Sequence, residues 1–287
     1  MKMIETEDDF LITKEYKRFN EFCNACKRDK YIGLCYGLPG IGKTISAKHY
    51  SGWHLIQKYY REKEEFNKPS TVVPYELSNH CTMLYTAEVA NSPSRVSGSL
   101  KKDIYKVCQV RYEAKFCQLA QNNNYTEQEF REMRLDGILN DDAQIIELLI
   151  VDESDRLKIT SIEQLRDFYD KNNCGLVLIG MPGMEKRLSR YAQLYSRIGF
   201  VHEFRPLSQD ELTFIMQNYL EKIGITLNHE DFTDNETMNA VIQTTRGNFR
   251  LVNRLFRQIS RIMRINEIKT LTKEIVFAAR ECLVIGV

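Results

Sequence analysis

The chain has 287 residues, of which 43% are hydrophobic and 28% charged, and this composition predicts one large or two small globular domains and excludes a disordered chain. Its 40 basic and 39 acidic residues leave a net charge of +1, so any binding of nucleic acid must come from a local patch. The longest apolar stretch, about residues 175–184, is too short to span a membrane, and the first ten residues are acidic where a secretory signal is basic. We therefore expect a cytoplasmic protein with no membrane contact.

The eight cysteines are too dilute for a disulfide scaffold in a chain of this length. Cys35 and Cys174 lie in apolar, strand-like runs and are typical of small core residues. Cys23 and Cys26 form a CxxC pair inside a helical pattern, and no second pair completes a zinc site. We interpret this pair as core residues, and a metal or redox role stays open as the alternative.

The first elements in chain order have the pattern of a strand, a loop and a helix. Apolar positions at helical spacing predict a helix over residues 14–30, and the glycine-bounded apolar run 31–36 predicts a buried strand. After a glycine-rich loop, residues 43–60 predict one long helix. A unit of this kind opens a parallel α/β sheet.

The middle of the chain continues the alternation of strands and helices. Strands are predicted over residues 81–87, 145–151 and 175–180, a polar loop over 91–99, and helices over 100–120, 127–139, 161–170 and 185–194. The strand at 145–151 is apolar almost throughout, as is typical of the centre of a parallel sheet. The fold class predicted is therefore α/β, with a parallel sheet.

After Pro206 the pattern is helical only. Helices are predicted over residues 209–223, 235–245, 248–265 and 272–283. The sequence thus divides into an N-terminal helical extension (1–30), an α/β core (31–205) and a helical lid subdomain (206–287).

A phosphate-binding loop is the strongest chemical signal. Residues 37–44 match GxxxxGK[ST] between a predicted strand and a predicted helix, a context that a chance Gly-Pro turn would lack. The glycines let backbone amides face phosphates, Lys43 would reach the β- and γ-phosphates of ATP, and Thr44 would ligate Mg²⁺. The candidate nucleotide-binding residues of this loop are Gly37, Leu38, Pro39, Gly40, Ile41, Gly42, Lys43, Thr44 and Ile45.

Two adjacent carboxylates, Asp152 and Glu153, follow an apolar strand. We expect Asp152 to hold Mg²⁺ and Glu153 to orient and polarise the attacking water. An apolar strand ending in Asp-Glu is by itself equally typical of a solvated strand end. About a hundred residues after a phosphate loop, the pair indicates a Walker B motif and favours hydrolysis over a purely structural nucleotide.

Several basic residues extend this candidate site. Arg197, near the edge of the core, could reach the γ-phosphate of a neighbouring subunit, although a surface salt bridge is an equal alternative. Arg250 opens a helix of the lid and could report the nucleotide state. Arg95, Lys101 and Lys102 are candidates for contact with DNA.

Five arginines of the lid fall at helical spacing. They form one stripe that could attract phosphates, although a solvated face paired with acidic side chains is the more common role of such a stripe. The five are Arg250, Arg254, Arg257, Arg261 and Arg264.

Four segments together resemble the AAA+ ATPases that assist DNA transposition, the TniB, TnsC and MuB group. They are the phosphate loop, Val-Asp-Glu-Ser-Asp-Arg-Leu-Lys at 151–158, Leu-Ile-Gly-Met-Pro-Gly at 178–183, and Gly-Asn-Phe-Arg at 247–250. The resemblance runs from about residue 31 to the C-terminus. It implies a P-loop AAA+ core whose ATP-bound subunits assemble as hexameric rings or helical filaments on duplex DNA. Such assemblies recruit or stimulate a transposase or a target-selector protein, and hydrolysis releases them.

The same resemblance assigns roles to individual residues. It makes Arg197 the arginine finger and Arg250 the sensor 2 arginine, and it relates the region of Arg95 to DNA contact by position only. The polar sensor 1 residue of the family is replaced by Met181, which predicts slow hydrolysis or another group that positions water.

Two alternatives to the transposition function stay open. An AAA+ ATPase with another task, secretion-associated or similar to a replication initiator, would carry the same motifs. A nucleotide-gated interaction module that binds ATP and hardly turns it over is the other alternative, and Met181 is the feature that favours it.

Overall fold

The computed structural model describes residues 10–66, 75–122, 146–222, 232–268 and 270–283. The predicted helix at 127–139 lies outside the described residues. The strands are β1 Ile32–Tyr36, β2 Thr82–Thr86, β3 Leu148–Asp152, β4 Gly175–Gly180 and β5 Ile198–Glu203. The helices are α1 Lys14–Asp29, α2 Lys43–Tyr50, α3 Trp53–Phe66, α4 Pro93–Asn122, α5 Ile159–Asn172, α6 Met184–Leu188, α7 Ala192–Tyr195, α8 Gln209–Lys222, α9 Phe232–Thr245, α10 Phe249–Ile265 and α11 Lys273–Glu281.

The described strands form one five-stranded parallel sheet in the order β2-β3-β4-β1-β5. This confirms the predicted fold class. Tyr36 of β1 lies opposite Gly180 of β4, and Thr86 of β2 lies opposite Asp152 of β3. The carboxyl ends of the strands therefore meet at one edge of the sheet, which is where parallel α/β proteins place their ligands.

The strand β5 was absent from the elements predicted from the sequence. Its side chains alternate between half-buried and exposed, as expected for an edge strand that is covered on one face. A period-two pattern of six residues was therefore present but short, and it follows directly on a predicted helix.

The chain divides into two compact units. The sheet unit comprises Phe19–Tyr36 and Thr44–Glu203, and the helical unit comprises Met1–Arg18, Gly37–Lys43 and Phe204–Val287. The phosphate loop thus belongs to the helical unit, and the helix α1 begins in one unit and ends in the other. The division into 1–30, 31–205 and 206–287 stays a prediction.

In the sheet unit, α1 packs directly on the sheet. A Cβ atom added to Gly33 of β1 would lie 2.4 Å from Cys26 Sγ and 2.6 Å from Phe22 Cζ, so only glycine permits this close approach. Burial raises the pKa of Cys26 to about 12 and also raises that of Cys23. Both thiols are therefore unreactive core groups, in agreement with the first interpretation of the CxxC pair.

The helical unit has its own hydrophobic core, to which α8, α9, α10 and α11 contribute. Its buried Glu211 accepts hydrogen bonds from the backbone amides of Lys14 (2.7 Å), Glu15 (3.3 Å) and Ser208 (2.9 Å). These amides start α1 and α8, where a helix leaves donors without intrahelical partners. One carboxylate therefore caps two helices.

Three predicted elements were wrong in extent. The helix predicted over residues 43–60 is two helices, α2 and α3, because Gly52 turns the chain with φ +57°. The loop predicted over 91–99 is helical from Pro93, which suits the first helical position. The helix predicted over 185–194 is two short helices, α6 and α7.

Among the described helices, none is long and apolar enough to cross a membrane.

Candidate functional site

The phosphate loop has the backbone that its glycines permit. Gly40 and Gly42 have φ values of +81° and +114°, a region that L side chains rarely adopt. At Gly37 the constraint is space, since an added Cβ would lie 2.5 Å from the carbonyl oxygen of Phe204. Each of the three glycines is therefore required by the shape of the loop.

Lys43 closes this loop with its side chain. Its ammonium donates to the carbonyl oxygens of Gly37 (2.6 Å) and Leu38 (2.8 Å). Lys43 and Thr44 are also the first residues of α2, so unpaired amides and the positive end of the helix dipole follow the loop directly. Such an arrangement is suited to binding phosphate groups.

The start of α10 holds the phosphate loop from within the same helical unit. The Arg250 amide donates to the Gly40 carbonyl at 2.8 Å, and the Asn248 side-chain amide donates to the Pro39 carbonyl at 2.9 Å. Asn248 also caps α10, because its side-chain oxygen accepts from the Leu251 amide at 3.2 Å. The Arg250 side chain is exposed.

In the sheet unit, β3 ends in the predicted carboxylate pair. Asp152 is 2% exposed; its Oδ1 atom accepts from the Glu153 amide at 2.9 Å, and its buried Oδ2 atom has no hydrogen-bond partner among the described residues. Burial of a carboxylate oxygen without a hydrogen-bond donor costs free energy unless a cation or a water molecule binds to it. Glu153 has a left-handed φ of 55°, and its carboxylate lies 3.4 Å from Nη2 of Arg156.

The segment after Glu153 is anchored by two side chains that sequence reasoning missed. Buried Asn91 donates to the Arg156 carbonyl at 3.1 Å and accepts from the Lys158 amide at 3.0 Å. Arg187 donates to the carbonyl oxygens of Asp155 and Leu157. Because these partners come from distant segments, only the tertiary structure identifies them.

A second buried carboxylate oxygen lies close to the end of β4. Met181 follows β4 directly, in agreement with the predicted strand end. Oδ1 of Asp155 would lie 3.1 Å from a Cβ atom added to Gly180, and it has no hydrogen-bond partner among the described residues. A buried polar group of Asp155 is therefore present beside the last residue of β4.

Arg197 forms its side-chain hydrogen bonds within the chain. Its Nε and Nη2 atoms lie 2.9 and 3.3 Å from the carboxylate of Asp170, and its Nη1 atom donates to the Gln193 carbonyl. This geometry corresponds to the salt bridge that the sequence left as the equal alternative. The pair is about one-third exposed on each side, so it contributes little to stability and can open.

The three candidate DNA contacts all lie on α4 and are exposed. Arg95 donates to the Ala90 carbonyl at 3.0 Å. Arg95 and Lys102 are seven residues apart and share a helix face, whereas Lys101 lines a groove with Phe168 of α5. Two of the three therefore share one face of α4.

Of the additional site residues, Asn248 had a readable signal in the sequence. An Asn immediately before a strongly amphipathic helical run is a typical N-cap. Its second role, the hydrogen bond to Pro39, joins residues 209 positions apart and has no local signal.

A parallel sheet with a strand, glycine loop and helix, and with acidic residues at the carboxyl edge, defines the P-loop class of α/β proteins. The profile of the AAA domain family matches residues 26–188. A "potential ATP-binding protein" of Staphylococcus aureus is 42% identical over 283 residues, which cover 97% of this chain and 98% of that protein. The chain therefore belongs to the AAA domain family.

Solved structures share the fold at low sequence identity. The Thermotoga maritima RuvB Holliday junction branch migration motor matches with a TM-score of 0.54 and 16% identity, over 98% of this chain and 72% of that chain. The Aeropyrum pernix ORC1 protein in complex with DNA matches with a TM-score of 0.57 and 17% identity, over 97% and 68%. These similarities confirm the predicted P-loop AAA+ fold class.

Proposed function

We propose that this protein is an ATPase that acts on duplex DNA as an oligomer and regulates DNA transposition. The observation that carries the ATPase part is the buried Oδ2 atom of Asp152 at the carboxyl edge of the sheet, which has no hydrogen-bond partner in the described part of the chain. The phosphate loop, with its left-handed glycines and Lys43, supplies groups that are suited to binding the phosphates of a nucleotide.

The residues present fit a bound Mg²⁺ ion. A hard cation prefers oxygen ligands, and the Thr44 hydroxyl and the Asp152 carboxylate provide two of them. When bound, Mg²⁺ would offset the charge that develops on the triphosphate during hydrolysis. Lys43 would exchange its two loop carbonyl partners for phosphate oxygens, which are stronger acceptors for an ammonium group.

Glu153 is the proposed general base for the attacking water. Its carboxylate is half-exposed and forms an ion pair with Arg156. Because this ion pair is exposed to solvent, it costs little free energy to break. Its left-handed backbone is the kind of strain that is often found at functional positions. Proton transfer by a positioned base is worth about 10²- to 10⁴-fold in rate.

Arg197 is the proposed arginine finger in a neighbouring subunit. The ion pair with Asp170 would hold its guanidinium in the isolated chain, and assembly would exchange Asp170 for the γ-phosphate. ATP hydrolysis would then depend on oligomerisation, as a ring or a filament.

The DNA and transposition parts rest on the resemblance of the four motif segments to the transposition helpers. The fold shared with an ORC1 protein solved in complex with DNA is compatible with a DNA-bound assembly. Weak phosphate contacts repeated in each subunit would let a chain of net charge +1 bind duplex DNA. The partner would be a transposase or a target-selector protein.

The test measures steady-state ATP turnover with and without duplex DNA, at low and high salt. Glu153→Gln should lower turnover at least about 100-fold while binding of an ATP analogue persists. Glu185→Gln, an exposed carboxylate on α6, is the matched control and should keep its turnover. Equal turnover in both variants would exclude Glu153 as the base.

The arginine finger has a test by mixing subunits. Arg197→Ala and Glu153→Gln should each be inactive alone. A mixture should regain part of the turnover, because an interface can then pair an intact Glu153 with an intact Arg197. No recovery in an assembled mixture would refute a finger in trans.

The assembly on DNA is tested by imaging together with the turnover assay. Negative-stain images with a slowly hydrolysed ATP analogue should show rings or filaments on the duplex. Turnover that is indifferent to DNA, without such assemblies, would leave an AAA ATPase with another task. A nucleotide-gated module is the second candidate, favoured by Met181, and turnover close to zero in the wild type would identify it.

A further inference from the structure

The lid helix α10 carries a row of exposed arginines. The arginine row comprises Arg254, Arg257, Arg261 and Arg264, all exposed and spaced by three, four and three residues. At 100° per residue these side chains fall within an arc of about 80°, and they extend over about 15 Å of helix axis. The 17-residue helix contains no acidic residue.

Most of this charge is not neutralised by the residues that the structure describes. Arg254, Arg261 and Arg264 make no ion pair with any residue that the structure describes. Like charges on neighbouring turns of one helix face repel each other and destabilise the helix. Repulsion between these like charges is unfavourable in the free protein, and the binding of a polyanion relieves it.

The opposite face of α10 fixes the direction of the row. Val252, Leu255, Phe256, Ile259 and Met263 are all buried in the core of the helical unit. The helix cannot rotate without exposing these side chains. The arginine row is thus presented in one orientation, and little ordering is needed on binding.

We propose that the arginine row binds the phosphate backbone of duplex DNA and links this binding to the phosphate loop. The identity of the polyanion as DNA rests on the proposed function, whereas the anion-binding surface rests on the structure of α10. Arginine presents a planar fork that matches phosphate oxygens, and duplex DNA carries about one charge per 1.7 Å of its axis. Over about 15 Å the duplex therefore offers more phosphates than the row has arginines.

A protein partner fits the row less well than DNA does. Buried centres of protein interfaces are depleted of charged residues and enriched in aromatic ones. Four arginines in an unbroken line give no apolar centre of this kind.

The link to the nucleotide follows from the first turn of the same helix. Through Asn248 and Arg250, α10 is hydrogen-bonded to Pro39 and Gly40 of the phosphate loop. Any ligand that biases the position of α10 therefore biases the loop. Linkage requires that ATP and DNA change each other's affinity by the same factor.

The test compares two triple variants that remove three positive charges each. The variant Arg254→Gln/Arg261→Gln/Arg264→Gln removes the part of the row without ion pairs. The control Lys58→Gln/Arg61→Gln/Lys115→Gln removes three exposed cations of α3 and α4, which also have no ion pair among the described residues. Both are compared with the wild type by circular dichroism, so that a variant that fails to fold is recognised.

Affinity for a fluorescent 40-base-pair duplex is measured by anisotropy at several salt concentrations, with and without a slowly hydrolysed ATP analogue. For the row variant we expect a Kd at least about tenfold weaker at 0.1 M salt. We also expect the slope of log K against log salt to be smaller by about 2.7, since each lost phosphate contact contributes about 0.9. The control should keep the wild-type slope. The factor by which the analogue tightens DNA binding should shrink toward one in the row variant only.

Different results separate this inference from the proposed function. Equal slopes in the two variants would overturn the arginine row as a DNA surface, and DNA-stimulated turnover in the same samples would leave the proposed function intact. A row-dependent slope without DNA-stimulated turnover would support the row and contradict the proposed function. Binding of poly-glutamate that depends on the row, with no effect on DNA binding, would instead identify an acidic protein as the partner.

Discussion

Replacement of Gly40 by alanine tests how the phosphate loop and α10 depend on each other. Gly40 has a φ of +81°, which costs an alanine about 1–2 kcal/mol relative to glycine. The new Cβ atom would lie 2.6 Å from Oδ1 of Asn248 and 3.0 Å from Cβ of Arg250. Relief of this contact would separate the loop from the start of α10.

The expected loss of unfolding free energy follows from the hydrogen bonds that the substitution would break. Two hydrogen bonds join the loop to α10, Arg250 N to Gly40 O at 2.8 Å and Asn248 Nδ2 to Pro39 O at 2.9 Å. Each contributes about 1 kcal/mol. With the backbone strain, we expect Gly40→Ala to lower the free energy of unfolding by about 2–4 kcal/mol and to weaken binding of ATP analogues.

Urea unfolding followed by circular dichroism measures the loss, and Gly98→Ala is the matched control. Gly98 lies inside α4, and a Cβ atom added there meets nothing within 4 Å. The control should be more stable than the wild type by about 0.5–1 kcal/mol, since alanine favours a helix interior. If Gly40→Ala unfolds at the urea midpoint of the wild type and binds the analogue equally well, the described loop geometry is wrong.

Three further predictions concern other parts of the chain. Glu211→Ala should lower the free energy of unfolding by about 2–3 kcal/mol, because it leaves the backbone amides at the starts of two helices without their carboxylate acceptor, and Glu211→Gln should lose less in the same denaturation assay. Gly33→Ala should cost about 1–3 kcal/mol by overpacking against Cys26 and Phe22, and Cys26→Ala in the double variant should recover part of it. Burial lowers the pKa of His80 from 6.5 to about 4, so the folded state binds fewer protons than the unfolded state between these values. Stability should therefore fall by up to about 3 kcal/mol as the pH drops from 6.5 to 4, and a His80→Gln variant with an unchanged slope in this range would contradict the assignment.

The local elements of the site were largely predictable. The phosphate loop is a contiguous pattern whose glycines report backbone conformation, and Gly40 and Gly42 indeed have positive φ. The five sheet strands show the limit of the same approach. Four of them have apolar runs with clear ends. In β5 only alternate side chains are half-buried, and it follows two short helices whose combined sequence pattern is that of one longer helix.

Contacts between distant segments were not predictable. Nothing in the sequence around Arg197 distinguishes a guanidinium held by Asp170 from a free one, because the two residues are joined only when α5 and the segment before β5 come together. The same holds for the anchoring of residues 154–158 by Asn91 and Arg187. Hydrogen bonds of this kind depend on angles and distances that no local spacing encodes.

The sequence by itself determined which chemical groups are present and how they are spaced along each element: the phosphate loop, the Asp152–Glu153 pair and the arginines of α10. These follow from backbone constraints and from periods of two and 3.6 residues, which act over a few neighbours. Only the tertiary structure decided which of these polar groups have a hydrogen-bond or ion-pair partner. It buries the Oδ2 atom of Asp152 where no described residue donates to it, pairs Arg197 with Asp170, and ties α10 to the phosphate loop through Asn248. Burial and pairing are properties of the packed chain, because the cost of an unpaired polar atom arises only after water has been removed from it.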